Sequence, residues 1–314
     1  MHNFTFFFDP MVNDKEVYDM SGKVFCLEND LVKIEVSTIG AEIQSLYSKK
    51  TEMEYLWQMG YETWPHHSML LFPSPGRIAG DRTIIDGKVY PAAMHGFAND
   101  MEFEVLESDD SHLLLQIHQN EQTKKSFPYD FRLQVEFRLD GEVVLQKFRV
   151  VNDDDRTIYF SLGAHPGFYC PIAIDETGDD YVMAFDTPQN VNLLEMQDNT
   201  RLLTSKRIPY LVGETDIPVG DHFFDNGPLI LDGINAKTIT MKSTRSGRFV
   251  ELGIEGFPYM CLWGVGTKMS IMCIEPWCGT SDLADTDHVW ETKLGIESAA
   301  VGEVFERTLT FRVG

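Results

Sequence analysis

The sequence predicts an all-β protein, and three observations carry that expectation. Apolar and polar residues alternate with period two in run after run, Asp-Gly pairs punctuate the runs, and no long helical stripe with caps appears. Alternation buries one face of a segment and solvates the other, which is the mark of antiparallel sheet. Asp-Gly between such runs signals a hairpin, because type I′ turns require positive φ. One large antiparallel domain of sandwich or barrel type, spanning residues 1–314, is the economical reading.

In chain order, residues 1–22 read as a peripheral N-terminal extension. Their "MHNFTFFFDPMVND" has an apolar burst but no basic leader region. "LVKIEVST" opens the alternating series. "ETWPHHSMLLF" reads as a place for a turn of helix. Asp86-Gly87 in "TIIDGKVY" and Asp140-Gly141 in "FRLDGEVVL" mark hairpins, as does Asp232-Gly233. "FRLQVEFRL", "EVVLQKFRVV", "TITMKS", "RFVELGI" and "ERTLTFRV" carry the alternation almost to the end.

Composition narrows the class of partner. A net charge of −23 argues against nucleic acid, whose recognition needs clustered cations, and against anionic membrane surfaces. It suits a small, neutral or weakly charged ligand. No run reaches the ~20 apolar residues of a membrane helix, and the cytoplasm is the default location. The five cysteines are irregularly spaced without a C-x-x-C pair, so neither zinc nor a disulfide framework is suggested. Most sit in apolar runs and read as small buried hydrophobes. Monomer and homodimer stay equally open.

Five polar residues stand in unusual settings. Arg77 follows an apolar run in "LFPSPGRIAGD". His95 sits in "AAMHGFAND" and His165 in "SLGAHPGFYCP", where a β run meets a Pro-Gly breaker. Asp225 sits in "HFFDNGPLIL". Glu275, in "MSIMCIEPWCGTSD", ends a nearly unbroken apolar strand, where a carboxylate is costly unless paired. His66 and His67 read as surface or rim. Each residue alone also fits a structural role: a satisfied core histidine, a paired carboxylate, a turn aspartate. Together they allow two kinds of site. One is a metal centre of two histidines and a carboxylate, although the H-x-H of cupin-like sites is missing. The other is metal-free acid/base work. Phe97, Phe168, Trp263 and Trp277 flank the candidates, and aromatic faces beside polar groups suit sugar rings.

"GR" followed by "IDGKVY", then "MHGFAND", "GAHPGF" and "CIEPWCG", occur in the order found in the aldose 1-epimerase (galactose mutarotase-like) superfamily. The chain resembles its shorter bacterial lactose-operon-associated branch from about Val32 to the last strand. The resemblance implies a single antiparallel β-supersandwich with an open sugar cleft. It also implies an isomerase that needs no cofactor and no metal. The general base would be Glu275 and the general acid His165. His95 and Arg77 would hold the ring and C1 oxygens, Asp225 would grip sugar hydroxyls, and Trp263 would stand near the cleft. Arg77 would also help keep Glu275 ionised. Two departures, the extra Arg82 and the segment around Asp225, bear on the substrate more than on the reaction.

A sugar-binding protein of the same fold without turnover is the rival reading. Within the enzyme class, a hexose 6-phosphate is a further candidate substrate, with Arg82 or Lys88 meeting the phosphate.

Overall fold

The computed structural model describes residues 22–58, 64–197, 200–265 and 269–314. Apart from Gly22, the expected N-terminal extension lies outside the described residues. Within them, alternation translates directly into burial: along Val143–Asn152, half-buried and buried positions alternate through the whole strand. Fourteen strands join in one antiparallel sheet, with Ser68–Leu71 at one edge and Glu104–Ser108 at the other. A four-stranded sheet between Val24 and Glu54 and two two-stranded ribbons complete the β-sandwich. One contiguous hydrophobic core runs from Leu27 to Val313. Among the described residues the helices are short 3₁₀ turns, and none is long and apolar enough to cross a membrane.

The Asp-Gly signals resolve into three different turns. Asp86 and Gly87 have φ of 49° and 72° and close a type I′ hairpin between Arg82–Ile85 and Lys88–Pro91. At Asp140 the loop shifts by one residue. Asp140 pairs with Val143, so Gly141 and Glu142 form the turn, with positive φ at Gly141 alone, as type II′ requires. Asp232-Gly233 closes no hairpin. The N–H groups of Gly233 and Ile234 both donate to the Pro258 carbonyl, next to the Asp232–Tyr259 pair, so the segment stays bonded to a strand that is not its sequence neighbour. The turn of helix expected in "ETWPHHSMLLF" is not found in its described part, where Ser68–Leu71 is a fully buried strand.

Tyr259–Trp263 and Ile271–Cys278 are buried on both faces, which explains their unbroken apolar sequence. Met260, Leu262, Met272 and Ile274 enter the main core. Tyr259, Cys261, Ile271, Cys273 and Trp277 face the other way and join Trp57 and Trp64 in a second cluster. Strand parity therefore sends Glu275 toward that second cluster. Likewise Leu162, Ala164 and Phe168 enter the main core, which turns His165 toward the second cluster. Cys170, Cys261, Cys273 and Cys278 are buried free thiols, as their apolar settings suggested, while Cys26 is exposed.

Candidate active site

The site is built on a row of side chains that crosses five strands. Ile230 pairs with Cys261, Cys261 with Glu275, and His165 with Met69. Between the histidine and glutamate strands, Gly163 pairs with Trp277 and Gly167 with Cys273, in constant register. That register sets His165 directly opposite Glu275. The ladder is interrupted between those two glycine pairs, where Pro166 and Pro276 lie. Neither proline has an N–H to give a sheet.

His165 is therefore not at a strand end, as its Pro-Gly neighbours suggested. It lies inside Leu162–Tyr169 and is buried. Glu275 likewise lies inside Ile271–Cys278 and is only 1% exposed. The break signals belong to the ladder, which opens where the two prolines stand. His165 Nε2 lies 3.2 Å from Glu275 Oε1.

The glycines on either side of His165 make room for tryptophans. A Cβ on Gly167 would lie 2.5 Å from Trp64 Cζ3, and one on Gly163 would lie 2.6 Å from Trp277 Cδ1. Trp64 stacks on the His165 ring at 4.7 Å and 24°. Trp263 meets the same ring edge-on at 5.8 Å. His165 is thus held by aromatic faces and a carboxylate. Trp64 was not among the sequence candidates, and only its "W-P-H-H" neighbourhood gave any signal there.

Above this floor is a cavity of about 360 Å³. Arg77, His95, His165, Trp263 and Glu275 all line it. His66 and Arg201 join them, the first as a partly exposed rim residue, the second missed in the sequence because "QDNTR" carries no motif. Phe97 and Phe168 pack into the main core instead.

His95 has φ of 66° and accepts the Gly76 N–H at its Nδ1, at 3.2 Å. The other nitrogen, Nε2, therefore carries the hydrogen. Burial lowers the His95 pKa to about 4, with the Arg201 and His66 charges adding to the effect.

Burial dominates the electrostatics of the central pair. It pushes the Glu275 carboxyl well above the ordinary carboxylate range, opposed by the neighbouring Cys261 thiol and Trp277 indole. It pushes His165 well below the ordinary histidine range, helped by His95. Protonated glutamate beside neutral histidine holds the same number of protons as carboxylate beside imidazolium. Both directions favour a pair that holds one proton in total. His165 Nδ1, Glu275 Oε2 and Trp277 Nε1 are buried without a hydrogen-bond partner among the described residues. Such a cluster is unusual in a structural site, where buried polar groups are paired.

Two expectations are corrected. Arg77 pairs not with Glu275 but with Asp81, at 3.2 Å, so it does not hold Glu275 ionised. Asp225 is not among the cavity-lining residues. It lies in an exposed turn and pairs with His222 at 3.0 Å, while Pro228, just after "DNG", lines the cavity in its place. Arg82 and Lys88 are exposed on the type I′ hairpin and do not line the cavity. Among the described residues, no group of three His, Cys, Asp or Glu side chains converges as a metal site requires.

Fold and site together define a class: a large antiparallel β-sandwich with a carboxylate–imidazole pair on the floor of an open cleft. Residues 23–292 match the aldose 1-epimerase family. The chain belongs to that family. It is 27% identical over 274 residues to the chromosomal protein LacX of Lactococcus lactis, covering 85% of this chain and 91% of that protein. It superposes on a galactose mutarotase related enzyme from Lactobacillus acidophilus with a TM-score of 0.88 at 28% identity, covering 93% of this chain and 97% of that one. A galactose mutarotase-like protein from Lactobacillus casei gives 0.87 at 28% identity, covering 93% and 100% of the two chains.

Proposed function

We propose that the protein interconverts the α and β anomers of a hexose or related aldose by acid/base ring opening, as a cofactor-independent aldose 1-epimerase. The observation that carries this reading is the buried His165–Glu275 pair, 3.2 Å apart on the cavity floor. Anomer exchange takes one proton from the C1 hydroxyl and gives one to the ring oxygen. A pair holding one proton supplies both without changing its net charge.

Glu275, as carboxylate, removes the hydroxyl proton while His165, as imidazolium, protonates the ring oxygen. The bond from C1 to the ring oxygen breaks as the C1 carbonyl forms. Rotation about C1–C2 exposes the other carbonyl face. Closure with the roles exchanged gives the other anomer and restores the pair. Burial alone favours the uncharged form of the pair, and sugar hydroxyls donating to the carboxylate favour the charged form. His95 donates to an oxygen at C1 or in the ring, and Arg77 reaches the sugar from the rim. Trp64 and Trp263 offer faces to its C–H patches. General acid and general base contribute about 10²–10⁴-fold each.

The test is anomer interconversion followed by NMR exchange on glucose, galactose, xylose, arabinose and available 6-phosphates. Wild type accelerates exchange, and Glu275→Gln and His165→Ala lose most of the acceleration. Line broadening without acceleration on any sugar would replace the reading by sugar binding without turnover.

A further inference from the structure

Leaving the glutamate strand, the chain passes through Ser281 and Asp282. There it meets the one ion pair among the described residues, besides His165–Glu275, in which both side chains are under 9% exposed. Lys293 Nζ lies 2.5 Å from Asp282 Oδ1, with side chains 4% and 8% exposed. Buried pairs of this kind are seldom more stable than apolar residues of the same shape, so stability alone is a weak account of it.

The bonds around the pair supply another account. The Asp282 N–H donates to the Arg77 carbonyl at 2.8 Å, and Asp282 Oδ2 accepts the Ala79 N–H at 2.9 Å. Ser281 Oγ accepts the Arg77 N–H at 2.9 Å. Both backbone polar groups of Arg77 are thus fixed by Ser281 and Asp282. On the other side, the Asp282 carbonyl accepts the Leu203 N–H at 2.8 Å, and the Leu203 carbonyl accepts the Ala284 N–H at 2.8 Å. Leu203 begins its strand two residues after Arg201. Asp282 therefore touches the backbone of both segments that bring an arginine to the cavity. Gly76, beside Arg77, has φ of 72°, and a Cβ there would run into Ser281 Oγ, which shows how closely the segments abut.

We propose that Asp282 and Lys293 are positioning residues, a buried clamp that holds the Arg77 and Arg201 segments against the cleft. Lys293 Nζ donates to Oδ1 while Oδ2 accepts the Ala79 N–H, so the carboxylate is held between the two. The clamp touches neither sugar nor reacting atoms, so it acts through Arg77 and Arg201. Its catalytic consequence rests on the epimerase reading of the cavity. Its mechanical consequence does not.

Two measurements on the full chain test it. In Lys293→Met, amide hydrogen exchange at Arg77, Ala79 and Leu203 becomes at least about tenfold faster, while amides of Val143–Asn152 keep their wild-type rates. Unchanged exchange at all three amides, or equal acceleration throughout, would overturn the clamp. In a double-mutant cycle on kcat/KM, Arg77→Ala and Lys293→Met each lower the rate, and the double variant loses less than the product of the two, the remainder passing through Arg201. Losses that multiply would mean that Lys293 does not act through Arg77. Should Lys293→Met fail to fold, the neutral pair Asp282→Asn/Lys293→Met replaces it in both arms. If wild type moves no anomer on any sugar, the epimerase reading fails, and the exchange arm still decides the clamp.

Discussion

His165 and Glu275 stand directly opposite each other on neighbouring antiparallel strands, each followed at once by a proline, with Nε2 and Oε1 3.2 Å apart. At that distance the two groups are coupled, so their titrations belong to the pair and not to either residue. Gaining a second proton is resisted by the burial that lowers His165, and losing the first by the burial that raises Glu275. The pH profile of kcat/KM should be a bell with a broad plateau. Its acid limb should fall below the ordinary histidine range and its alkaline limb above the ordinary carboxylate range. Glu275→Gln and His165→Ala should each cost about 10²–10⁴-fold. The double variant should lose far less than the product of the two, since the groups act as a unit. A sigmoid with one inflection in the ordinary histidine range would contradict shared titration.

The same pair shapes stability. Unfolded glutamate titrates at about 4.3 and unfolded histidine at about 6.5. Between those values the unfolded residues hold one proton, as the folded pair does, and the contribution to stability is flat. Below the lower value the unfolded chain binds the extra proton, so stability falls as pH falls. Above the upper value the folded pair still holds its proton and the unfolded chain does not, so stability falls as pH rises. Glu275→Gln removes that alkaline slope. Urea denaturation should show wild type losing about 1.4 kcal/mol per pH unit relative to the variant above the histidine range, until the folded pair itself ionises. Parallel wild-type and variant curves there would mean that Glu275 is already ionised in the fold.

Glycine at 163 and 167 follows from the ring packing around His165. An alanine at 167 would press on Trp64 Cζ3, with Ile271 Cδ1 at 3.0 Å and Cys273 Sγ at 3.2 Å closing the other sides. Neither glycine has positive φ, so the cost is crowding and not backbone strain. Gly167→Ala should destabilise by about 1–3 kcal/mol in urea denaturation. It should also displace Trp64 from the His165 ring, which near-UV circular dichroism would record. A variant as stable as wild type, with an unchanged tryptophan signal, would show that the rings have room to spare.

Alternation is legible in a sequence wherever one face of a strand is wet, as in Val143–Asn152. It also made Glu275 conspicuous, since a carboxylate in "IMCIEPWC" has no wet face to turn to. The local setting of His165 was misread because proline and glycine are break signals one strand at a time. That Pro166 and Pro276 share one gap between two strands appears only when the strands are paired. Trp64 and the Arg77–Asp81 pair escaped for different reasons. The first packs on His165 through a distant loop, and the second depends on how a loop folds back on itself. Asp225 shows the converse: its "DNG" turn chemistry was plain, and it outweighed the loose match to a sugar-binding aspartate.

His95 offers the sharpest separation of a role from a charge. Its Nδ1 is occupied by the Gly76 N–H, its pKa is lowered to about 4, and its ring meets that of His165 edge-on at 5.6 Å. It should therefore serve as a neutral Nε2–H donor near neutral pH. His95→Gln keeps a side-chain N–H donor and His95→Ala does not. Both retain the backbone bond from residue 95 to the Gly76 carbonyl at 3.2 Å. A neutral hydrogen bond contributes about 0.5–1.5 kcal/mol net, and a partner left unsatisfied costs about 1–3 kcal/mol. His95→Ala should accordingly lose about 10–100-fold in kcat/KM, with His95→Gln recovering much of it. Because a neutral donor does not titrate near neutrality, the ratio of wild type to His95→Ala should stay flat from about pH 5.5 to about pH 8. A ratio that climbs as pH falls through the histidine range would show that the imidazolium, and not the neutral ring, meets the substrate.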